Sequence, residues 1–325
     1  MTSESRSVLH LPARDIPVPT SVSPQAQAII AMQPSVGTTY PSVEDAEGWR
    51  AMAAERDAAI VDIVGARASA IPTKVEEIDV DGVRVYVITP HDLPGDDPRV
   101  FLNVHGGAFV LGGGESCRLM GLHAVGLSRV RTWAVDYRMP PDHPFPAPLD
   151  DCVAIYRSLL ENHRPADIIV SGGSAGGNLA AALILRARDE GLPLPAAAVL
   201  STPEVDLTES GDSFQVNLGL DNVLTESLMP ANLLYAGGHD LSDPYLSPLF
   251  ADFTIGFPPT ILTTGTRDLF LSNTVRMHRA LRAAGVSAEL HVLEAGSHAG
   301  FFGQAPEDEE LDNEVRRFID AHWAD

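Results

Sequence analysis

From Val100 onward the chain alternates short β-branched runs with longer helix-forming stretches, and few folds accommodate that rhythm. Val100–Val104, Arg131–Asp136, Ile168–Val170, Ala197–Leu200, Pro259–Thr264 and Ala288–Leu293 read as strands. Leu149–Glu161, Asn178–Glu190, Ser272–Ala284 and Pro306–Trp323 read as helices between and after them. A strand that is apolar throughout is covered on both faces, and parallel neighbours need a crossover helix. The pattern therefore predicts an α/β protein with a mostly parallel, doubly wound sheet. Ahead of it, Val75–Val80 and Val83–Val87 alternate around Asp81-Gly82, a hairpin signal. Residues 1 to about 45 are rich in Pro and Ser, and Val43–Ala68 places Trp49, Met52, Ala53 and Ile60 at helical spacing. The stretch 202–258 breaks the rhythm with Ser, Asp, Gly and Pro, and is too long for a plain loop. It reads as an insertion over one end of the sheet, with one helix at Thr225–Ala236.

Charge narrows the partners. Lys and Arg number 22 against 44 Asp and Glu, a net charge of −22. A phosphate-backbone binder needs clustered basic residues, and none occur, so nucleic acid and anionic membrane surfaces are poor partners. The acidic run Glu307–Glu310 opens the last helix, where negative charge suits the helix dipole, and reads as a solvated helix start. Cys117 and Cys152 form no metal-ligand spacing and no disulfide framework, which leaves them as small buried apolar residues. The N-terminal residues lack the uninterrupted apolar core of a secretory leader. The best apolar run, Leu179–Leu185, falls far short of the ~20 residues of a membrane span. A soluble, cytoplasmic protein is the expectation.

The sharpest chemical signal is Gly172-x-Ser174-x-Gly176, directly after a strand and directly before an Ala-rich helix. Acyl transfer needs a serine oxygen lifted out of the sheet on a strained turn, with small neighbours where strand and helix meet. The helix N-terminus and the Ala175 amide add positive potential there. Val104-His105-Gly106-Gly107-Ala108-Phe109 follows an earlier strand, and its glycines free backbone N–H groups to face an oxyanion. His105 reads as a loop holder, because the base in such sites comes later in the chain. A serine also needs a base and an orienting carboxylate. Asp268 follows the strand ending at Thr264, and His298 follows Ala288–Leu293, which puts both at the sheet edge that carries Ser174. His291 sits inside a strand, His239 and Asp240 lie in the insertion, Asp243 reads as a turn residue, and His143 lies in a Pro-rich loop. Gly112-Gly113-Gly114 lacks the Lys-Ser/Thr of a phosphate loop, so no cofactor and no metal are expected.

These motifs resemble the hormone-sensitive-lipase-like family of α/β-hydrolases, in its bacterial carboxylesterase and lactone hydrolase branch. The resemblance runs from about Val75 to the C-terminus. It rests on His105-Gly106-Gly107, Asp136-Tyr137-Arg138, His143-Pro144-Phe145-Pro146-Ala147, Ser174 to Ala180, Asp243 to Pro248 and His298. It implies Ser174 as nucleophile, His298 as base, Asp268 as acid, and the amides of Gly106, Gly107 and Ala175 as oxyanion hole. It also implies a helical cap. The expected division is a cap segment at 1–70, core at 71–204, cap insertion at 205–240 and core at 241–325. Gly173 stands where the family commonly has Asp or Thr, Ala108 where a third Gly is usual, and Leu269-Phe270-Leu271 departs from its pattern after the acid. Phe109 and Leu111 line the acyl pocket or pack in the core. The expected activity is hydrolysis of small to medium, largely apolar esters or lactones through an acyl-enzyme. The rivals are a catalytically silent ligand receptor on the same fold and an amidase or acyltransferase. A homodimer formed along the edge strand Ala288–Leu293 is the expected assembly, if any.

Overall fold

In the computed structural model, which describes residues 8–32, 37, 39–65 and 71–323, the chain opens with α1 (Pro24–Ile30) and α2 (Ala46–Gly65). The parts of the expected N-terminal segment and its helix at 1–7, 33–36, 38 and 66–70 lie outside the described residues. The hairpin follows as β1 (Thr73–Val80) and β2 (Val83–Pro90), then β3 (Val100–Val104), α3 (Glu115–Ser128), β4 (Arg131–Asp136) and α4 (Ala147–Asn162). Next come β5 (Ile168–Gly173), α5 (Ala175–Asp189), β6 (Ala197–Ser201), a short α6 (Ser213–Val216) and α7 (Met229–Ala236). The chain closes with β7 (Thr260–Gly265), α8 (Leu271–Ala283), β8 (Ala288–Leu293) and α9 (Pro306–His322).

The eight strands form one sheet in the order β1-β2-β4-β3-β5-β6-β7-β8. The pairs β1–β2 and β2–β4 are antiparallel, and every later pair is parallel. Successive side chains on a strand enter opposite faces. Val100, Leu102 and Val104 of β3, with Ile168 and Val170 of β5, join the core under α4, α5 and α8. Phe101, Ile169, Val199 and Ile261 join the core under α3 and α9, against Val315, Phe318 and Ile319. The near-continuous apolar runs thus serve two cores at once, which is why they show no alternation. No helix among the described residues is long and apolar enough to cross a membrane.

Two local expectations change. The insertion helix begins at Met229, not Thr225. Backbone donors ahead of it are used elsewhere: Asp221 Oδ1 accepts from Val223 and Leu224 N–H at 2.9 and 3.1 Å, and Glu209 accepts from Leu228 N–H at 2.8 Å. The acidic opening of α9 is partly structural. Glu307 accepts from Ser23 N–H and Oγ at the start of α1 (2.6 and 2.8 Å), and Asp308 accepts from Phe301 N–H at 2.9 Å. Glu309 and Glu310 are exposed, as a solvated helix start requires.

The N-terminal segment and the insertion meet over the C-terminal edge of the sheet. Trp49 of α2 is fully buried, stacks on Tyr40 at 5.6 Å, and packs with Val110, Ala231 and Leu234. Ala108 and Leu111, just past β3, belong to the same cluster.

Candidate active site

Ser174 links β5 to α5 at φ 56° and ψ −126°, a conformation that L-residues rarely adopt and that costs on the order of 1–3 kcal/mol. The surrounding small residues make it attainable. A β-carbon at Gly176 would lie 2.1 Å from the Val104 carbonyl oxygen, so only glycine lets α5 start this close to β3. The turn is pinned by Ser174 N–H donating to Ser201 O at 2.9 Å.

The loop after β3 lies against this turn, because β3 and β5 are parallel neighbours with Val104 opposite Gly172. A β-carbon on Gly106 would stand 3.2 Å from Ser174 Cβ and 2.9 Å from Gly173 O. Among the described residues no acceptor takes the Gly106 or Gly107 N–H, and the Ala175 N–H is one of the unpaired donors at the start of α5. His105 is buried and holds the loop: its Nδ1 donates to Gly106 O at 2.8 Å, and its ring stacks on Tyr137 at 4.1 Å. Tyr137 in turn donates from its hydroxyl to His105 O at 2.9 Å. Burial lowers the His105 pKa to about 4, so the ring is neutral and unsuited to proton uptake at neutral pH.

Asp268 and His298 come together in the loops after β7 and β8. His298 Nδ1 faces Asp268 Oδ1 at 3.1 Å, with Asp268 fully buried and His298 9% exposed. The carboxylate is fixed by Thr264 Oγ1 at 2.7 Å and Phe270 N–H at 2.9 Å, so the departure from the family pattern after Asp268 removes no support. Burial alone would lower the His298 pKa. The charge and hydrogen bond of Asp268, with Asp221 behind them, more than offset it and hold the pKa above the ordinary value.

A clamp from the insertion completes the acid loop, and motif reasoning missed it. Asn217 donates from Nδ2 to Asp268 O at 2.8 Å and to Thr266 O at 3.2 Å. Asp221 Oδ2 accepts from Leu269 N–H at 2.9 Å, and Ser213 Oγ bonds Leu269 O and Ser272 N–H at 2.7 and 2.9 Å. The only sequence sign was polar residues recurring in a segment otherwise read as breakers.

The other candidates lie elsewhere. Asp240 is exposed and accepts from Ser242, Asp243 closes a turn onto Tyr245, and His291 faces Glu289 on β8. Phe109 is fully buried, stacks flat on Tyr235 at 4.0 Å and packs in the main core, whereas Leu111 reaches the Trp49 cluster. His105, Cys117 and Asp136 bring ligand-type atoms within 4.8 Å of one another. His105 is committed to Gly106, Asp136 accepts from Gly114 N–H, and burial raises the Cys117 thiol far above its usual range, so the trio is built to hold the loop. Two shallow surface clefts, one beside His291 and Glu307 and the other beside Asp79 and Arg186, are not lined by Ser174, Asp268 or His298.

Residues 101–302 match the family model described as alpha/beta hydrolase fold. An esterase of Acinetobacter venetianus is 32% identical over 191 residues, 58% of this chain and 63% of that relative, so the match spans a little under two thirds of its length. The crystal structure of an esterase called E25 superposes with a TM-score of 0.88 at 37% identity, covering 98% of this chain and 99% of that one. A crystal structure of an esterase from the bacterial hormone-sensitive lipase family superposes with a TM-score of 0.77 at 30% identity, covering 93% and 99%.

Proposed function

The chain belongs to the α/β-hydrolase family, in its hormone-sensitive-lipase-like branch, and from that premise we propose that it is a serine carboxylesterase. The observation that carries this reading is the buried His298–Asp268 pair at the sheet edge where Ser174 sits on its strained turn beside the Gly106-Gly107 loop. His298 takes the Ser174 hydroxyl proton as the oxygen attacks the ester carbonyl, and Asp268 fixes the imidazole with its proton on Nδ1. The developing oxyanion is met by the Gly106, Gly107 and Ala175 amides. His298 then returns the proton to the departing alcohol. Water repeats the sequence on the acyl-enzyme and frees the acid.

The N-terminal segment and the 205–240 insertion serve as the cap, on the strength of the Trp49 cluster that joins them above Ala108 and Leu111. Small to medium apolar esters, lactones among them, suit that lining; Leu111 faces it, and Phe109 belongs with the core packing. The presence of His298 favours an enzyme over a silent receptor. Two buried free thiols fit a reducing, cytoplasmic setting, and β8 at the sheet edge is the proposed pairing strand of a homodimer.

A fluorophosphonate probe tests the reading. The wild type is expected to carry one adduct at Ser174, and Ser174→Ala none. Product analysis on matched ester, lactone and amide substrates separates esterase from amidase and acyltransferase. Asp268→Asn should lower kcat by roughly 10⁴-fold, as loss of an orienting carboxylate does elsewhere. A folded wild type that resists the probe sinks the proposal.

A further inference from the structure

The stretch 213–221 of the insertion is built inside out. Ser213, Asn217 and Asp221 are buried, whereas Val216 and Leu218 between them are about half exposed. Asn217 N–H donates to Ser213 O at 3.0 Å and Asp221 N–H to Asn217 O at 3.1 Å. The backbone therefore winds helically, and the three polar side chains, four residues apart, turn the same way. A surface helix normally buries its apolar stripe and exposes the polar one. Buried polar groups are tolerated only where they find partners. Here the inward face finds them in the loop that carries Asp268.

The grip falls on one peptide unit. Asn217 Nδ2 donates to Asp268 O at 2.8 Å, and Asp221 Oδ2 accepts from Leu269 N–H at 2.9 Å, so both polar groups of the Asp268–Leu269 peptide are held from the insertion. Ser213 Oγ adds a bond to Leu269 O at 2.7 Å. The core holds this peptide less closely: Leu271 N–H reaches Asp268 O at 3.2 Å. A planar peptide held at both groups fixes the backbone on either side of it. One side is Asp268 Cα, which bears the carboxylate. The other leads to Phe270, whose N–H donates to Asp268 Oδ1 at 2.9 Å. The same Oδ1 faces His298 Nδ1 at 3.1 Å. The charged groups acting on His298 are Asp268 and Asp221, and the Phe270 ring meets it edge-on at 4.8 Å.

We propose that Asn217 is a positioning residue for the triad: by holding the Asp268–Leu269 peptide it sets where Asp268 Oδ1 meets His298, so the acid is aimed correctly only with the insertion seated. Asn217 is uncharged, so it acts on His298 through the place it gives the carboxylate. The proposal rests on the esterase reading above.

The test compares ethyl butanoate hydrolysis, per fluorophosphonate-titrated site, in the wild type, Asn217→Leu, Ser213→Ala and Ser227→Ala. In Asn217→Leu, kcat should fall roughly 10- to 100-fold, as small misplacements of a reacting group do, while KM stays within about threefold. The acid limb of the kcat/KM profile should move to lower pH, because a displaced Asp268 supports the imidazolium less. The low-field NMR signal of the His298 Nδ1 proton should shift upfield. Ser213→Ala should show the same changes in smaller measure, and it decides if Asn217→Leu fails to fold. Ser227 Oγ ties Glu209 within the insertion at 2.6 Å, so Ser227→Ala loosens the insertion elsewhere and should leave the limb in place. A folded Asn217→Leu with an unmoved limb and proton signal overturns the proposal, whatever its kcat, and so does an equal shift in Ser227→Ala. A wild type that does not hydrolyse the ester overturns the esterase reading itself, and the proton signal then still shows whether Asn217 sets the pair.

Discussion

In the proposed mechanism the His298 imidazole must shed its proton before it acts as base, so kcat/KM should rise with pH through its pKa. Asp268 sets most of the upward displacement, and Asp221 adds to it from the insertion side. Removing the second carboxylate's charge should therefore move the acid limb of the kcat/KM profile of Asp221→Asn to lower pH while the alkaline side stays in place. An unmoved limb would show that Asp221 acts through the Leu269 hydrogen bond alone. Glu204 makes a contribution of opposite utility. Its carboxyl ionises in the ordinary range when unfolded but only near pH 8 when folded, so between those values the native state binds more protons. Stability from this group is present at low pH and is lost as pH rises toward 8. In thermal melts, Glu204→Gln should match the wild type near pH 5 and exceed it by several degrees near pH 9. A constant difference across that range would contradict a buried neutral acid.

Trp49 shows what a single helix contributes to the cover. Its ring is fully buried, donates from Nε1 to Ser42 O at 2.9 Å and joins α2 to α7 through Ala231 and Leu234. Trp49→Ala should cost about 3–5 kcal/mol if the cover unfolds with the core. If the cover loosens first, the global melt barely moves while KM for apolar esters rises, and urea denaturation beside kinetics tells the two apart. Much of this architecture was legible before the structure. The strands, the hairpin at Asp81-Gly82 and the order of Ser174, Asp268 and His298 follow from local pattern and turn chemistry. What escaped was long-range. α3 carries Gly121 because a β-carbon there would press on Ala134 and Ile88 at 2.7 Å, and that glycine weakens the helical signal. The Asn217–Asp221 clamp pairs side chains with backbone atoms about fifty residues away, which no periodicity encodes. Glu204 read as one acid among many, and only burial without partners distinguishes it.

The net charge of −22 acquires a distribution once the arginines are placed. Arg138 pairs with Asp151, Arg186 with Asp150 and Glu190, Arg276 with Asp206, and Arg317 with Glu289 and Glu314. Asp151 and Asp206 are buried, whereas the pairs of Arg317 are exposed and add little stability singly; all of them cancel the positive field locally and leave the surplus carboxylates to set the long-range potential. Asp206, Glu209, Asp221 and Asp268 also lie in the loops past β6 and β7, toward the edge of the sheet that carries Ser174. An anionic ester must approach against that field, and a neutral or cationic one need not. At ~0.01 M salt the screening length is about 30 Å, long enough for the whole surface to act on an approaching substrate; at ~1 M it is about 3 Å. The ratio of kcat/KM for a neutral ester to that for a matched ester bearing a remote carboxylate should therefore be largest at low salt and shrink steadily as salt rises. Because steering acts on encounter, the change should appear in kcat/KM and leave kcat of the neutral ester level. A salt-independent ratio would mean that discrimination against anions arises inside the site.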